Sequence, residues 1–270
     1  MNIPFWKMHG AANDFILVDD RKLTFPAEDR TWLAATMSRR TGIGSEGLLL
    51  IQPAAGQGDF RMRFFNPDGG EADMCGNGAR CLARLAHEIG AAPASMTIES
   101  GAGLLRAEVR GEQVLLHMTE PRDWRLNRRL TTQGEVVSYH FVNTGVPHAV
   151  VEAEDLDALN VQDLGARIRR HEAFAPAGAN ANFIALAGPN SLRLRTYERG
   201  VEGETLACGT GIVASALIAG RLGRVRSPVR VTARSGDTLE VNYVLTRDGA
   251  TDVSLLGPAV HVFPGTLTHP

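Results

Sequence analysis

Cys75 and Cys208 stand in the same short setting, Cys75-Gly-Asn-Gly78 and Cys208-Gly-Thr-Gly211, each with a glutamate four residues earlier, Glu71 or Glu204. A helical pattern follows each motif. Ala79 to Ile89 has Cys81, Leu82, Leu85, Ala86 and Ile89 as its apolar positions, and Ile212 to Leu222 is apolar almost all round. Each thiol is therefore expected at a helix start, where unpaired backbone N–H groups and the positive end of the helix dipole bind a carboxylate and favour thiolate over thiol. The neighbouring glycines let a ligand approach the backbone closely. If two such starts converge on one α-carboxylate, a thiol lies on either face of the α-carbon. One thiolate can then remove the α-proton while the opposite thiol delivers another, which inverts the stereocentre. The Cα–H of an amino acid is a very weak acid, so the N–H donors must stabilise a carbanion-like transition state; one preorganised donor is worth about 3 kcal/mol in a well-studied case.

Blander readings apply to the other candidates. A single cysteine before a helix is ordinarily a small buried hydrophobe, and Cys81, on an apolar helix face, is read that way. Two matched motifs reverse the balance for Cys75 and Cys208. His148 is read as a site residue because it stands opposite Asn13 in an internal repeat. Glu198-Arg199 alone reads as a solvated pair, and Gly42-Ile-Gly44 reads as a turn because no Gly-Lys-Ser/Thr follows it. Cys75 and Cys81 with no nearby histidine are poorly spaced for zinc, and a lone Lys7 gives no pyridoxal site, so neither metal nor cofactor is expected.

The elements that must position the thiols repeat along with them. Strand-like runs recur at Phe15–Val18, Leu48–Ile51, Arg61–Phe65, Val150–Val151, Asn182–Leu186 and Leu192–Tyr197. Helical patterns are fewer, so the class is α+β with much sheet. Leu104–Met118 and Leu239–Leu256 alternate like hairpins around Arg110-Gly111 and Arg247-Asp248-Gly249, which predicts mostly antiparallel pairing. Gly10-Ala-Ala-Asn13 matches Gly145-Val-Pro-His148, and Glu28–Arg40 and Asp155–Arg170 both read as amphipathic helices followed by a Gly-rich turn and a strand. Arg63-Phe-Phe-Asn66 onward parallels Arg195-Thr-Tyr-Glu198 onward, up to the two cysteines. Two related domains are the economical explanation. A helix with no polar face must be buried, so each half is predicted to wrap its sheet, or barrel, around a central helix. The patternless Glu120-Pro-Arg-Asp123 is the candidate linker, dividing the halves at 121 and 122.

Composition excludes several classes. With 44% apolar residues, 21% charged residues and a formal charge of −2, the chain has no field for steering nucleic acid or anionic membrane. The longest apolar stretch, Ile212–Ala219, is far short of the roughly 20 residues of a membrane-spanning helix. The N-terminus lacks the pattern of a secretory signal, and three cysteines do not make a disulfide framework, so a cytoplasmic protein with thiols is expected.

Together these residues resemble diaminopimelate epimerase through nearly the whole chain. The resemblance is carried, in order, by Lys7-Met-His-Gly-Ala-Ala-Asn-Asp-Phe15, Gly42-Ile-Gly44, Phe65-Asn-Pro-Asp-Gly-Gly-Glu71, Met74-Cys-Gly-Asn-Gly-Ala-Arg-Cys81, Thr144-Gly-Val-Pro-His148, Asn180-Ala-Asn-Phe183, Tyr197-Glu-Arg-Gly200 and Gly203–Gly211. It implies interconversion of LL-2,6-diaminoheptanedioate and its meso isomer, for lysine and peptidoglycan precursors, without pyridoxal phosphate or metal. It also implies a homodimer and two pseudo-symmetric domains, with a tail, 258–270, that returns to residues 1–121 while 122–257 form the second domain. By the same motifs Cys75 and Cys208 are the catalytic pair, and the N–H groups of Gly76-Asn77 and Gly209-Thr210 hold the reacting carboxylate. Asn13, Asn66, Asn180, Glu198 and Arg199 line the substrate pocket, with His148 beside the reacting centre. Arg199 can pair with the distal carboxylate by a fork.

Three positions depart from the family pattern. Ala12 replaces a usual glycine, Ser45-Glu-Gly47 replaces a segment that often carries a glutamine, and Val146 stands where many members have a pocket asparagine. A proline racemase or hydroxyproline epimerase is disfavoured by Asn77 and by Glu198-Arg-Gly200. A racemase for another amino acid on the same scaffold, and a redox protein with a regulatory disulfide, are the remaining alternatives.

Overall fold

A computed structural model describes residues 1–270, whose packing divides into two units: Met1–Leu116 with Gly257–Pro270, and His117–Leu256. The first holds β1 (Asn2–Gly10), β2 (Asn13–Asp19), α1 (Arg30–Met37), β3 (Leu48–Gln52), β4 (Phe60–Phe65), β5 (Glu71–Ala72), α2 (Gly76–Glu88), β6 (Ser95–Ser100), β7 (Gly103–Arg110) and β8 (Gln113–His117). The second holds β9 (Arg122–Thr132), β10 (Glu135–Asn143), β11 (Pro147–Glu152), α3 (Val161–Arg169), β12 (Asn180–Gly188), β13 (Ser191–Glu198), β14 (Gly203–Thr205), α4 (Gly209–Arg221), β15 (Val229–Thr232), β16 (Thr238–Leu245) and β17 (Ala250–Pro258). The last strand, β18 (Val260–Thr268), pairs with β1 of the first unit, from Asn2 opposite Thr268 to His9 opposite Val260.

The pairing scheme of one unit reproduces that of the other. In the first, β1 and β2 form a hairpin, β2 runs parallel to β3, β3 pairs antiparallel with β4, and β4 takes β5 antiparallel and β6 parallel. In the second, β10 to β15 repeat those steps one for one. The strands β6–β7–β8 and β15–β16–β17 then continue as antiparallel meanders. Even the outer strand has its counterpart, since β9 lies against β10 as β18 lies against β1. Most pairs are antiparallel. The four parallel pairs each enclose a helix, because parallel neighbours need a crossover long enough to return the chain.

The second helix of each unit sits inside its strands. Helix α2 packs against β1, β2, β3, β4 and β7, and α4 against β10, β11, β12, β13, β15 and β16. In α4 all ten residues from Gly211 to Gly220 are buried, as the missing polar face requires. The outer helices are capped from their own sequence. Asp29 accepts from the Trp32 N–H before α1, and Asn160 accepts from the Asp163 N–H before α3. Because Asn160 is the cap, α3 begins at Val161 and not at Asp155. Asp155 instead accepts the N–H groups of Asp157 and Ala158, at 3.0 Å each, in a turn ahead of the helix.

The candidate linker differs from expectation. Arg122 and Asp123 open the eleven-residue strand β9, whose alternation of Trp124, Leu126 and Leu130 is weak because Arg128 interrupts it and only Leu130 is buried. No helix in the chain is long and apolar enough to cross a membrane.

At the β1–β2 turn, Ala11 and Ala12 both take the left-handed conformation, with φ of 57° and 62°. An alanine there meets the steric conflict between Cβ and the following carbonyl oxygen, which glycine avoids, so Ala12 departs from the family at a position where the backbone favours glycine. Ala12→Gly should raise folding stability by about 0.5–1 kcal/mol, the strain relieved less the added chain entropy of glycine. A urea melt with an unchanged or lower midpoint would contradict this.

Candidate active site

Both thiols stand at the N-cap of a buried helix, and neither side chain caps it. Cys75 precedes α2 with φ −138° and ψ 117°, and Cys208 precedes α4 with φ −118° and ψ 107°. The same extended backbone at both positions leaves the first-turn N–H groups of Gly76-Asn77 and Gly209-Thr210 without a cap from the cysteine side chains.

Around Cys75 the first unit builds a line of amides. Asn13, directly after the Ala11-Ala12 turn, places its Oδ1 3.9 Å from the Cys75 sulfur and accepts from Asn77 Nδ2 at 3.0 Å. Asn13 also donates to Glu46, the residue that departs from the family pattern. Asn77 in turn accepts at Oδ1 from the Arg80 guanidinium at 2.8 Å. Arg80 is fully buried in α2 and also donates to the Pro258 carbonyl at 3.3 Å. Asn66 lies in the β4–β5 turn, its backbone paired with Gly69 and Gly70 and its side chain exposed.

The second unit gathers Cys208, Glu198, Arg199, Asn180, His148 and Thr210. Thr210 Oγ1 is 3.7 Å from the Cys208 sulfur, and the backbone carbonyl of Thr210 accepts from Thr144 at 3.0 Å. Glu198 ends β13 and accepts from Thr205 Oγ1 at 2.5 Å; Asn180 accepts the Arg199 N–H at 2.7 Å. His148 is fully buried, its Nδ1 3.0 Å from Asn182 Nδ2. Val146 is half-buried in the β10–β11 turn, its carbonyl accepting the Thr144 N–H.

Two matched ion pairs tie the strands that lead to the thiols. Arg63 on β4 forks onto Glu71 on β5 at 2.8 and 2.7 Å, and Arg195 on β13 forks onto Glu204 on β14 at 2.7 and 2.8 Å. The glutamates noted ahead of each cysteine therefore act on the frame. Their arginine partners, and the roles of Asn182, Thr205 and Arg80, escaped the sequence reading. The repetition of Arg63 as Arg195 at the same place in each half was the available signal.

Burial raises two of the three thiols. Burial and the Glu198 carboxylate push Cys208 well above the ordinary thiol range, against the lowering influence of the nearby Thr210 and Gly211. The helix start alone favours thiolate, but in the resting protein burial wins. Burial likewise pushes Cys81 to about 12, consistent with a packed apolar role, and lowers His148 to about 3 with the help of Arg199.

The family model described as diaminopimelate epimerase matches residues 5–124 and 140–262. A diaminopimelate epimerase of Chlorobaculum tepidum is 44% identical over 97% of this chain and 100% of its own, and one of Aquifex aeolicus is 42% identical over 98% and 97%. Among solved structures, a Bacillus anthracis phenazine biosynthesis protein of the PhzF family aligns over 100% of both chains with a TM-score of 0.77 at 17% identity. A hydroxyproline epimerase from Agrobacterium vitis aligns over 98% of this chain and 92% of its own with a TM-score of 0.70 at 16% identity. At such identities the two structures establish a shared fold, and the relatives in sequence carry the family.

The raised thiols have a consequence for stability. Cys81 and Cys208 lose their protons more readily in the unfolded chain, so the stability they contribute is intact below the ordinary thiol value of 9.0 and is lost as pH rises through it. Urea melts above that value should show a decline approaching about 1.4 kcal/mol per thiol per pH unit, and Cys81→Ala should remove one thiol's share. A decline of the same slope in Cys81→Ala would contradict the assignment.

Proposed function

The chain belongs to the diaminopimelate epimerase family, isomerases that interconvert LL- and meso-2,6-diaminoheptanedioate for lysine biosynthesis, and we propose that Cys75 and Cys208 are the two acid/base groups of that reaction here. The observation that carries the proposal is the equivalence of the two thiols: each is the uncapping N-cap residue of the buried helix of its unit. In the direction from LL substrate, Cys75 removes the α-proton and Cys208 supplies one to the opposite face; the roles exchange in reverse. A Cys208 thiol held protonated by burial and Glu198 suits the donor's part. The N–H groups of Gly76, Asn77, Gly209 and Thr210 bind the reacting carboxylate and stabilise the charge that develops as the α-carbon loses its proton. At the distal end Arg199 takes the second carboxylate, while the carbonyls of Asn13, Asn66 and Asn180 and the carboxylate of Glu198 accept from ammonium groups. The residues themselves supply the acid, the base and the electrostatic stabilisation, so the proposed reaction runs without cofactor or metal. The enzyme acts in the cytoplasm as a homodimer in this reading.

In deuterated water, each early turnover from LL substrate should leave solvent deuterium on the inverted carbon while the remaining substrate stays unlabelled, because the delivered proton comes from the second, solvent-exchanged thiol. Cys75→Ser should stop epimerisation, a hydroxyl being a far poorer acid than a thiol. Early meso product that keeps its original hydrogen, or brisk turnover by Cys75→Ser, would overturn the two-base assignment.

Arg199→Lys keeps the charge but loses the fork, so it should raise KM for diaminopimelate by about tenfold or more. Wild-type kinetics in that variant would remove Arg199 from the distal carboxylate.

A further inference from the structure

Asn182 lies on β12 with its carboxamide fully buried, and its neighbours leave it one orientation. The Nδ2 atom is 3.1 Å from the Ala149 carbonyl and 3.5 Å from that of Asn180, both of which can only accept. The Oδ1 atom accepts the Thr196 hydroxyl at 3.1 Å. Turning the amide over would set oxygen against two carbonyl oxygens. With one N–H of Nδ2 directed at Ala149, the other meets His148 Nδ1 at 3.0 Å, so Nδ1 must receive it with a lone pair. The proton of the neutral ring then resides on Nε2. Adding a second proton at Nδ1 would oppose two N–H groups, and burial with the Arg199 charge already disfavours the imidazolium.

Two further observations tie this pair to the site. A Cβ at Gly211 would stand 2.4 Å from Asn182 Oδ1, so the first turn of α4, which begins after Cys208, lies directly on the amide. The buried Nε2 of His148 meets no hydrogen-bond acceptor among the protein atoms. A buried donor left unpaired is costly, about 1–3 kcal/mol, and is accounted for where a ligand supplies the acceptor.

We propose that Asn182 is a positioning residue that locks His148 in the Nε2–H tautomer, so that His148 serves the reaction as a hydrogen-bond donor to an anionic acceptor at the reacting end of the substrate, and not as a proton acceptor. The consequence for turnover rests on the epimerase reading given above; the tautomer does not. The same amide that holds the ring also lies directly against the start of α4, the helix that follows Cys208.

The test is two-bond ¹H–¹⁵N correlation NMR on protein labelled at histidine, with the His148 signals identified by their loss in His148→Gln. The wild type should show a pyrrole-like Nε2 and a pyridine-like Nδ1 in a single neutral form. Asn182→Asp places an acceptor opposite Nδ1 and should move the proton there. That variant should lose at least about tenfold in kcat, as a wrong tautomer does in catalytic triads, with KM for diaminopimelate kept within about threefold. Asn182→Leu, which is close in shape and removes the donor opposite Nδ1, should give tautomeric averaging and an intermediate kcat; it keeps the comparison available if the Asp variant does not fold. A wild-type ring with a protonated Nδ1 would overturn the proposal, as would a full kcat in a variant whose Nδ1 carries the proton. A wild type that shows the Nε2–H form yet turns over no diaminopimelate would support the tautomer and overturn the function.

Discussion

In the proposed reaction the first turn of each buried helix stays open to an anion, and a helix open in that way cannot be stabilised by its own cap. A serine, threonine or aspartate at the N-cap is worth about 1 kcal/mol, which Cys75 and Cys208 forgo. The helices are held from the side instead. Helix α4 is buried along ten consecutive residues, and α2 along nine of its thirteen. With the barrel of strands fixing each helix, its positive end can be presented to a ligand without the helix fraying.

The frame is equivalent in the two units while the charges laid on it differ. The Arg63–Glu71 and Arg195–Glu204 forks brace the same strands in both. Beyond them, α2 carries a buried cation, Arg80, bonded to the Asn77 that flanks Cys75, whereas Glu198 brings a carboxylate to Cys208. Two copies of one backbone therefore carry different charged neighbours.

Much of this was legible beforehand because it repeats. The paired Cys-Gly-X-Gly motifs, the apolar helices behind them, the strands at Leu48 and Asn182 and both Gly-turned hairpins follow from periodicity and spacing. Strand β9 did not, because its alternation of Trp124, Leu126 and Leu130 is interrupted by Arg128 and only Leu130 is buried. The helix-start argument favoured a thiolate at Cys208, and burial, which depends on the folded surroundings, reversed it. Asn182 was visible as a residue but not as a participant. Its meaning lies in Ala149, Asn180 and Thr196, whose groups converge only once β11, β12 and β13 lie side by side.

The placement of β18 has a consequence in time. The second unit receives its outer strand, β9, just before β10 leaves the ribosome, whereas β1 waits for residues at the far end of the chain. At about 5–20 residues per second, the interval between β1 and its partner is on the order of 10–50 s. Throughout that interval a nine-residue strand near the N-terminus keeps one edge open, the kind of edge that recruits strands from other chains. The second unit can close before β18 is made, while the first becomes complete only once β18 emerges. The nascent chain thus carries its open edge along β1, and β18 is the strand that ends the exposure.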